Sequence, residues 1–373
     1  RPETRCSSSS SSTNLTECRF HGFQDSWRRH GTDITRADNS GVSIAKRPNM
    51  QRRVLLQSSM GLLMLSPWGF VRSGETLPSD AEVISSFGWA TDVHHCRKSP
   101  DFWDEEGVAH HEYFDLSLEK FRKAVAFMNK RRPDFAIELG DFKDCTKTGS
   151  RAETVGLLDE VEAAFRQFPG PRFHVAGNHD FDKISLEDFL AHTENSDEMK
   201  GLTHYAFTKG GIKYIVLDAC YNTMAGEHYS DGNLKWSVSM VPDFEVEWLR
   251  KVLAEGSEPV IVFIHQLLNF WDSSHGKIAG KIPDGYFIRN AAEVVDVLEQ
   301  SRRVLAVFSG HYHSGWYSER RGIHYIVGKG MVENDAAHNA AGVVKIDKNL
   351  NIFIEGLEDE PSRNLTKSAF TSL

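Results

Sequence analysis

A layered α/β fold, two mixed β-sheets packed as a sandwich and flanked by α-helices, is predicted for this 373-residue chain by three features. Short apolar or β-branched runs alternate with amphipathic stretches from about Ala81 onward. Two of those runs, Val260-Ile261-Val262-Phe263-Ile264 and Val304-Leu305-Ala306-Val307-Phe308, are apolar at every position, as in strands covered on both faces. Gly210-Gly211 and Lys348-Asn349-Leu350-Asn351 join neighbouring strand-like runs directly, as hairpins do, so a simple alternating open sheet fits less well.

Residues 1–49 are rich in Ser, Thr, Asn and Arg, contain the run Ser7 to Ser12, and follow neither the helical nor the strand period. They read as a disordered leader upstream of a true start at Met50. Residues 50–78 open with Gln51-Arg52-Arg53 and continue into a weakly apolar stretch, which resembles a twin-arginine signal. An exported or periplasmic protein is therefore expected, with a short amphipathic helix in a cytoplasmic protein, or an untranslated leader read as protein, as the alternative. The globular domain is expected to span 79–358, followed by a polar, loose tail over 359–373.

Within the domain the strands are expected at Val83–Thr91, Phe135–Leu139, Arg172–Ala176, Tyr205–Thr208, Tyr214–Asp218, Val260–His265, Val304–Ser309, His324–Val327, Val343–Asp347 and Ile352–Glu355. Four helices follow from apolar residues at three- and four-residue spacing. Leu118, Phe121, Val125 and Met128 mark Leu116–Lys130, and Val155, Leu158, Val161 and Phe165 mark Glu153–Gln167. Val246, Leu249 and Leu253 mark Phe244–Ala254, and Val294, Val297 and Leu298 mark Ala291–Gln300. Pro133, Pro169 with Gly170, and Gly256 stop the first three.

Composition narrows the function. The net charge of −9 is uneven, with ten basic against five acidic residues in the first 53, so the body is strongly acidic and stable nucleic-acid binding by counterion release is not expected. No apolar run approaches the roughly 18 to 20 residues of a bilayer span, so no membrane span is expected in the mature protein. Cys6, Cys18, Cys96, Cys145 and Cys220 include no C-x-x-C pair, which excludes a disulfide scaffold and a zinc-thiolate site. P-loop, dinucleotide-binding and serine-hydrolase motifs are also missing.

The chemistry sits where strands end. Successive exits read Thr91-Asp92-Val93-His94-His95, Gly140-Asp141-Phe142-Lys143-Asp144, Gly177-Asn178-His179-Asp180, His265, and Gly310-His311-Tyr312-His313. Ligands of α/β sheets bind beyond the carboxyl ends of strands, so these residues are expected to meet on one rim. Two cations about 3.5 to 4 Å apart require a bridging carboxylate with imidazole and amide donors, which this set supplies. Asp92 and His94, like His311 and His313, share parity in a regular strand. Gly140, Gly177 and Gly310 precede ligands, where the lack of a Cβ permits a sharp turn and close approach.

The ordered set D-x-H, G-D-x-x-D, G-N-H-D, H and G-H-x-H resembles the calcineurin-like metallophosphoesterases over about Glu82 to Glu358. The flanks Glu112-Tyr113-Phe114 and Gly177-Asn178-His179-Asp180-Phe181 are most similar to the branch of ADP-ribose and CDP-alcohol diphosphatases. That branch usually ends its first block in Gln, where this chain has His94.

The resemblance implies a four-layer fold and two divalent ions (Mn, Fe, Zn, Co or Ni). One would be held by Asp92, His94, His313 and Asp141, the other by Asn178, His265, His311 and the same bridging Asp141. It implies hydrolysis of a small organic or nucleotide phosphate ester or diphosphate by a metal-bridging hydroxide, with His179 as general acid and Asp180 either orienting its ring or capping the loop. Asp144 is expected to cap its turn or to touch the metal shell, and His95 to contact phosphate or lie in a solvated loop. The aromatics of Tyr221 to Pro242, Asn269-Phe270-Trp271 and Trp316-Tyr317 are candidates for stacking on an organic group. His110, His111, His174, His192, His204, His228, His275, His324 and His338 are expected at the surface or half-buried. Two rivals are a broad-specificity exported phosphatase and, of another class, a non-catalytic binding protein on the same fold. Nothing here indicates the oligomeric state.

Overall fold

Alternation along one strand shows how the layers arise. In β8 (Val260–Phe263), Ile261 and Phe263 point into the core between the two sheets, while Val260 and Val262 join the core beneath the helices. A strand apolar at every position is thus buried on both sides, as expected. The computed structural model describes residues 82–105, 108–268 and 284–369. The leader, the twin-arginine segment, Asn269-Phe270-Trp271 and His275 lie outside them. Among the described residues, no helix is long and apolar enough to cross a membrane.

The first sheet contains β1 (Val83–Ala90), β4 (Phe135–Glu138), β5 (Arg172–His174), β12 (Ala340–Asp347), β13 (Ile352–Glu358) and β14 (Arg363–Leu365), in the order β14-β13-β12-β1-β4-β5. β1, β4 and β5 run parallel, and β12 pairs antiparallel to β1. The second sheet contains β6 (Tyr205–Lys209), β7 (Ile212–Val216), β8, β9 (Val304–Ser309), β10 (Ser314–Arg320) and β11 (Ile323–Lys329), in the order β10-β11-β9-β8-β7-β6. Its central strands β7, β8, β9 and β11 are parallel. Phe87 anchors the interface between sheets, its ring edge-on to Phe263 and Phe308 at 5.2 Å and stacked on Phe135 at 5.5 Å.

Outside the first sheet, α1 (Ser117–Arg131) and α2 (Arg151–Phe165) bury Phe121, Val125, Leu158 and Phe165; outside the second, α4 (Asp243–Ala254) and α5 (Ala291–Ser301) bury Val246, Leu249, Val294 and Leu298. The result is the four-layer sandwich expected from the sequence. Both hairpins also form, joining β6 to β7 and β12 to β13.

The structure adds elements the sequence reading left as loops. β2 (Asp101–Glu105) and β3 (Val108–Glu112) form a separate hairpin, and β10 follows the last ligand block. Helix α3 (Leu186–His192) begins in a capping box, with Ser185 Oγ accepting from Asp188 N and Asp188 Oδ2 from Ser185 N. The tail is a correction: β14 lies beyond the expected domain end at 358 and pairs with β13. Leu365 enters the inter-sheet core, and the buried Glu360 accepts from Lys329 N at 3.0 Å. A single apolar residue among polar ones hid that strand.

Candidate metal centre

Five strand exits converge. Past the end of β1, the amides of Asp92, His94 and His95 bond the carbonyls of Gly140, Asp141 and Phe142 at 3.1, 2.8 and 3.2 Å, so the β1 and β4 exits stay side by side. In the second sheet Gly310 N bonds His265 O at 3.0 Å. Asp92, His94, Asp141 and His311 all have left-handed backbones, with φ of 51°, 46°, 54° and 67°. Such conformations cost about 1–3 kcal/mol each and persist only where surrounding structure holds them. Strand parity therefore does not aim these side chains; left-handed residues just past the strands do.

Of the three glycines, only Gly140 is left-handed, at φ 95°. The others are needed for space. A Cβ on Gly177 would lie 2.1 Å from the Asp141 amide, and one on Gly310 would lie 1.9 Å from Thr91 Oγ1 and 2.6 Å from Asp92 Oδ2.

The donor atoms fall into groups within 4.8 Å of one another: Asp92, His94 and His313; His94, Asp141 and His179; and Asp141, His265 and His311. Asp141 thus reaches both halves, with Oδ2 3.5 Å from His94 Nε2 and 3.1 Å from His265 Nε2, while Oδ1 accepts the His179 amide at 2.7 Å. Asp92 Oδ1 lies 3.3 Å from His313 Nε2, and Asp92 also receives the His311 amide. His94 Nε2, Asn178 Oδ1 and His311 Nε2 are buried without a hydrogen-bond partner. Orphaned lone pairs of this kind are costly unless something binds them. Lone pairs facing two buried carboxylates fit a pair of divalent cations.

Electrostatics agree. Burial opposes the charges of Asp92 and Asp141, but the imidazoles around them prevail and hold both carboxyls below the usual range, Asp141 furthest. Burial, then the neighbouring His265, drives His311 down to about 3, leaving it neutral and able to ligate. Burial also opposes a proton on His265, but Asp141 lifts it to about 9. The buried carboxylates call for positive charge; cations supply it while leaving the imidazole lone pairs free to ligate.

His179 is half-buried beside this group, and its partner differs from the expected one. Nδ1 lies 2.7 Å from Asp182 Oδ2, three residues on in the one-turn helix Asn178–Phe181 and its C-cap. Asp180 instead is fully buried and accepts backbone amides, from Gly177 and Asp141 on Oδ2 at 2.9 and 3.0 Å, and from Phe142 on Oδ1 at 2.9 Å. It ties the β4 and β5 exits together, as the loop-capping expectation has it, while the ring-orienting role expected for Asp180 is corrected: the His179 ring nitrogen bonds Asp182 instead. Two acids flank that turn, and only the i, i+3 geometry singles out Asp182.

Other expectations change too. Asp144 receives Lys98 Nζ at 2.6 Å and lies 3.5 Å from His94 Nδ1, so it backs a ligand as well as bonding the Cys145 amide. His95 is buried and bonds Glu160 Oε2 at 3.0 Å; it is neither solvated nor turned to the donor groups. His110, His174 and His324 are buried rather than peripheral, His174 lying between Glu138 Oε1 at 2.9 Å and Glu162 Oε2 at 3.1 Å. Tyr221 and Tyr229 are packed inside, whereas Trp236 is exposed and meets Tyr286 edge-on, which in turn meets the His311 ring at 5.2 Å. Glu333, outside every sequence block, lies 3.1 Å from His313 Nδ1. Cys96, Cys145 and Cys220 are free thiols.

Fold and site define a metal-dependent hydrolase of phosphoester or diphosphate bonds with a dinuclear centre. The chain belongs to the calcineurin-like phosphoesterase family, whose model matches residues 86–315. It is 25% identical over 316 residues to the manganese-dependent ADP-ribose/CDP-alcohol diphosphatase of Oryza sativa subsp. japonica, covering 74% of this chain and 92% of the relative. It is also 25% identical over 325 residues to the Bos taurus protein of that name, covering 76% and 94%. A dimetal phosphatase from Danio rerio has the same fold, with a TM-score of 0.64, 19% identity, and coverage of 77% of this chain and 100% of that one.

Proposed function

We propose that this chain is a manganese-dependent diphosphatase acting on small nucleotide or nucleotide-alcohol diphosphates. The position of Asp141 between the Asp92–His94–His313 group and the His265–His311 group carries the reading. Asp92, His94, His313 and Asp141 would hold one cation, and Asn178, His265, His311 and Asp141 the other. When bound, the two cations supply charge neutralisation at the phosphoryl oxygens and an acidified water. The protein's own residues do the rest. Asp180 fixes the loops that carry Asp141 and Asn178, and His179 gives its proton to the departing oxygen, kept protonated and oriented by Asp182. The diphosphate substrate is supported by the names of the relatives in rice and cattle.

His94 favours a second reading. An imidazole replaces the Gln usual in the diphosphatase branch, which supports a broader phosphomonoesterase or phosphodiesterase. Turnover of ADP-ribose, CDP-choline, p-nitrophenyl phosphate and its bis ester with added Mn²⁺ separates the two. Preference for ADP-ribose or CDP-choline by tenfold or more in kcat/KM supports the first reading; preference for either nitrophenyl ester overturns it.

A further inference from the structure

One carboxylate outside the sequence blocks joins a candidate ligand to the β2–β3 hairpin. Glu333 lies in the turn after β11, and that turn is stitched to the β1 exit: Met331 N bonds Thr91 O at 3.1 Å, and Val332 N bonds Asp92 O at 3.0 Å. The buried Lys120 Nζ donates to Glu333 O at 2.6 Å and holds the turn from the other side.

The carboxylate has two directions of contact. Oε1 lies 3.1 Å from His313 Nδ1 and 2.7 Å from His110 Nδ1, and Oε2 accepts the His111 amide at 2.8 Å. His110 and His111 belong to β3. His110 is 2% exposed and lies flat against Trp103 of β2, with rings 4.0 Å apart and 9° from parallel. Asp92 faces the other nitrogen of His313, Nε2, at 3.3 Å. A hydrogen bond from Nδ1–H to Glu333 therefore selects the tautomer whose Nε2 lone pair points to the Asp92 side, and it prevents rotation of the ring.

We propose that Glu333 is a positioning residue for His313, and that the β2–β3 hairpin sets the place of Glu333 through His110, so that hairpin docking governs how tightly the first cation is held. This rests on the two-metal reading above. It adds that the β2–β3 hairpin, rather than the sandwich alone, tunes one of the two sites. The effect is selective, because Glu333 touches none of Asn178, His265 or His311.

Calorimetric titration of the metal-free full chain with Mn²⁺ tests it, with melting midpoints to establish folding. The wild type is expected to bind two ions. Glu333→Gln is expected to weaken one site by about 10- to 100-fold and leave the other unchanged. His110→Ala is expected to weaken the same site several-fold, and the double variant to be no weaker than Glu333→Gln alone. Unchanged affinities in Glu333→Gln, equal weakening of both sites, or additive effects in the double variant overturn the inference while leaving two metals in place. Should Glu333→Gln not fold, His110→Ala decides alone: unchanged binding overturns the inference, and selective weakening supports it. A wild type that binds no Mn²⁺ overturns the two-metal reading and this inference with it.

Discussion

His179 Nδ1 and Asp182 Oδ2 are 2.7 Å apart, and this contact, rather than one with the adjacent Asp180, fixes the ring beside Asp141. Burial would strip the His179 proton, but Asp141, Asp144 and the hydrogen bond to Asp182 outweigh it and raise the pKa well above the ordinary value. A general acid works while protonated, so activity falls as pH rises through that pKa. Removing the Asp182 charge lowers it. In Asp182→Asn the alkaline limb of kcat/KM is expected to move acidward by about one pH unit; a limb that stays in place contradicts the pairing.

Asp180 is expected to matter for stability. Asn in its place presents an NH₂ toward amides that now donate to both carboxylate oxygens. Chemical denaturation of Asp180→Asn is expected to show a loss of about 1–3 kcal/mol. Wild-type stability would contradict the tie between the two exits.

Gly310 is a space requirement. An added methyl would meet Thr91 Oγ1 at 1.9 Å and Asp92 Oδ2 at 2.6 Å, and both belong to the β1 exit. Gly310→Ala is expected to lower stability by about 1–3 kcal/mol and to raise the Mn²⁺ concentration for half-maximal activity. Unaltered metal dependence would show that the exit relaxes freely.

The Glu138–His174–Glu162 group gives a pH signature. Burial opposes the His174 charge, but Glu162 and Glu138 raise its pKa to about 10, above the ordinary value near 6.5. The stabilisation is therefore complete below about pH 6.5 and is lost as pH rises through about 10. The melting midpoint of the wild type is expected to fall over that window, and that of His174→Gln to start lower and fall less. Parallel curves for the two proteins would exclude a buried imidazolium.

What the sequence made legible, and what it did not, has physical causes. β8 and β9 could be read because burial on both faces demands continuous apolar residues, and α1 and α5 because one buried stripe repeats with the helical turn. Seven candidate ligands were readable because each follows directly on such a strand. β2, β3 and β14 were not, since they gain order from pairing and from one or two contacts such as Trp103 on His110 or Leu365 in the core. Asp182 and Glu333 escaped for a related reason: their roles depend on partners fixed by a local turn or by distant backbone bonds, and neither leaves a periodic trace. The capping box of α3 was written in Ser185 and Asp188 and could have been found.

The central claim is that Asp141 bridges two cations, and low-temperature electron paramagnetic resonance of the Mn²⁺-loaded chain tests it most directly. Ions about 3.5 to 4 Å apart and sharing a carboxylate should give an exchange-coupled spectrum in the wild type, replaced by isolated-ion signals in Asp141→Ala. Uncoupled Mn²⁺ in the wild type, or coupling that survives in Asp141→Ala, would contradict the account.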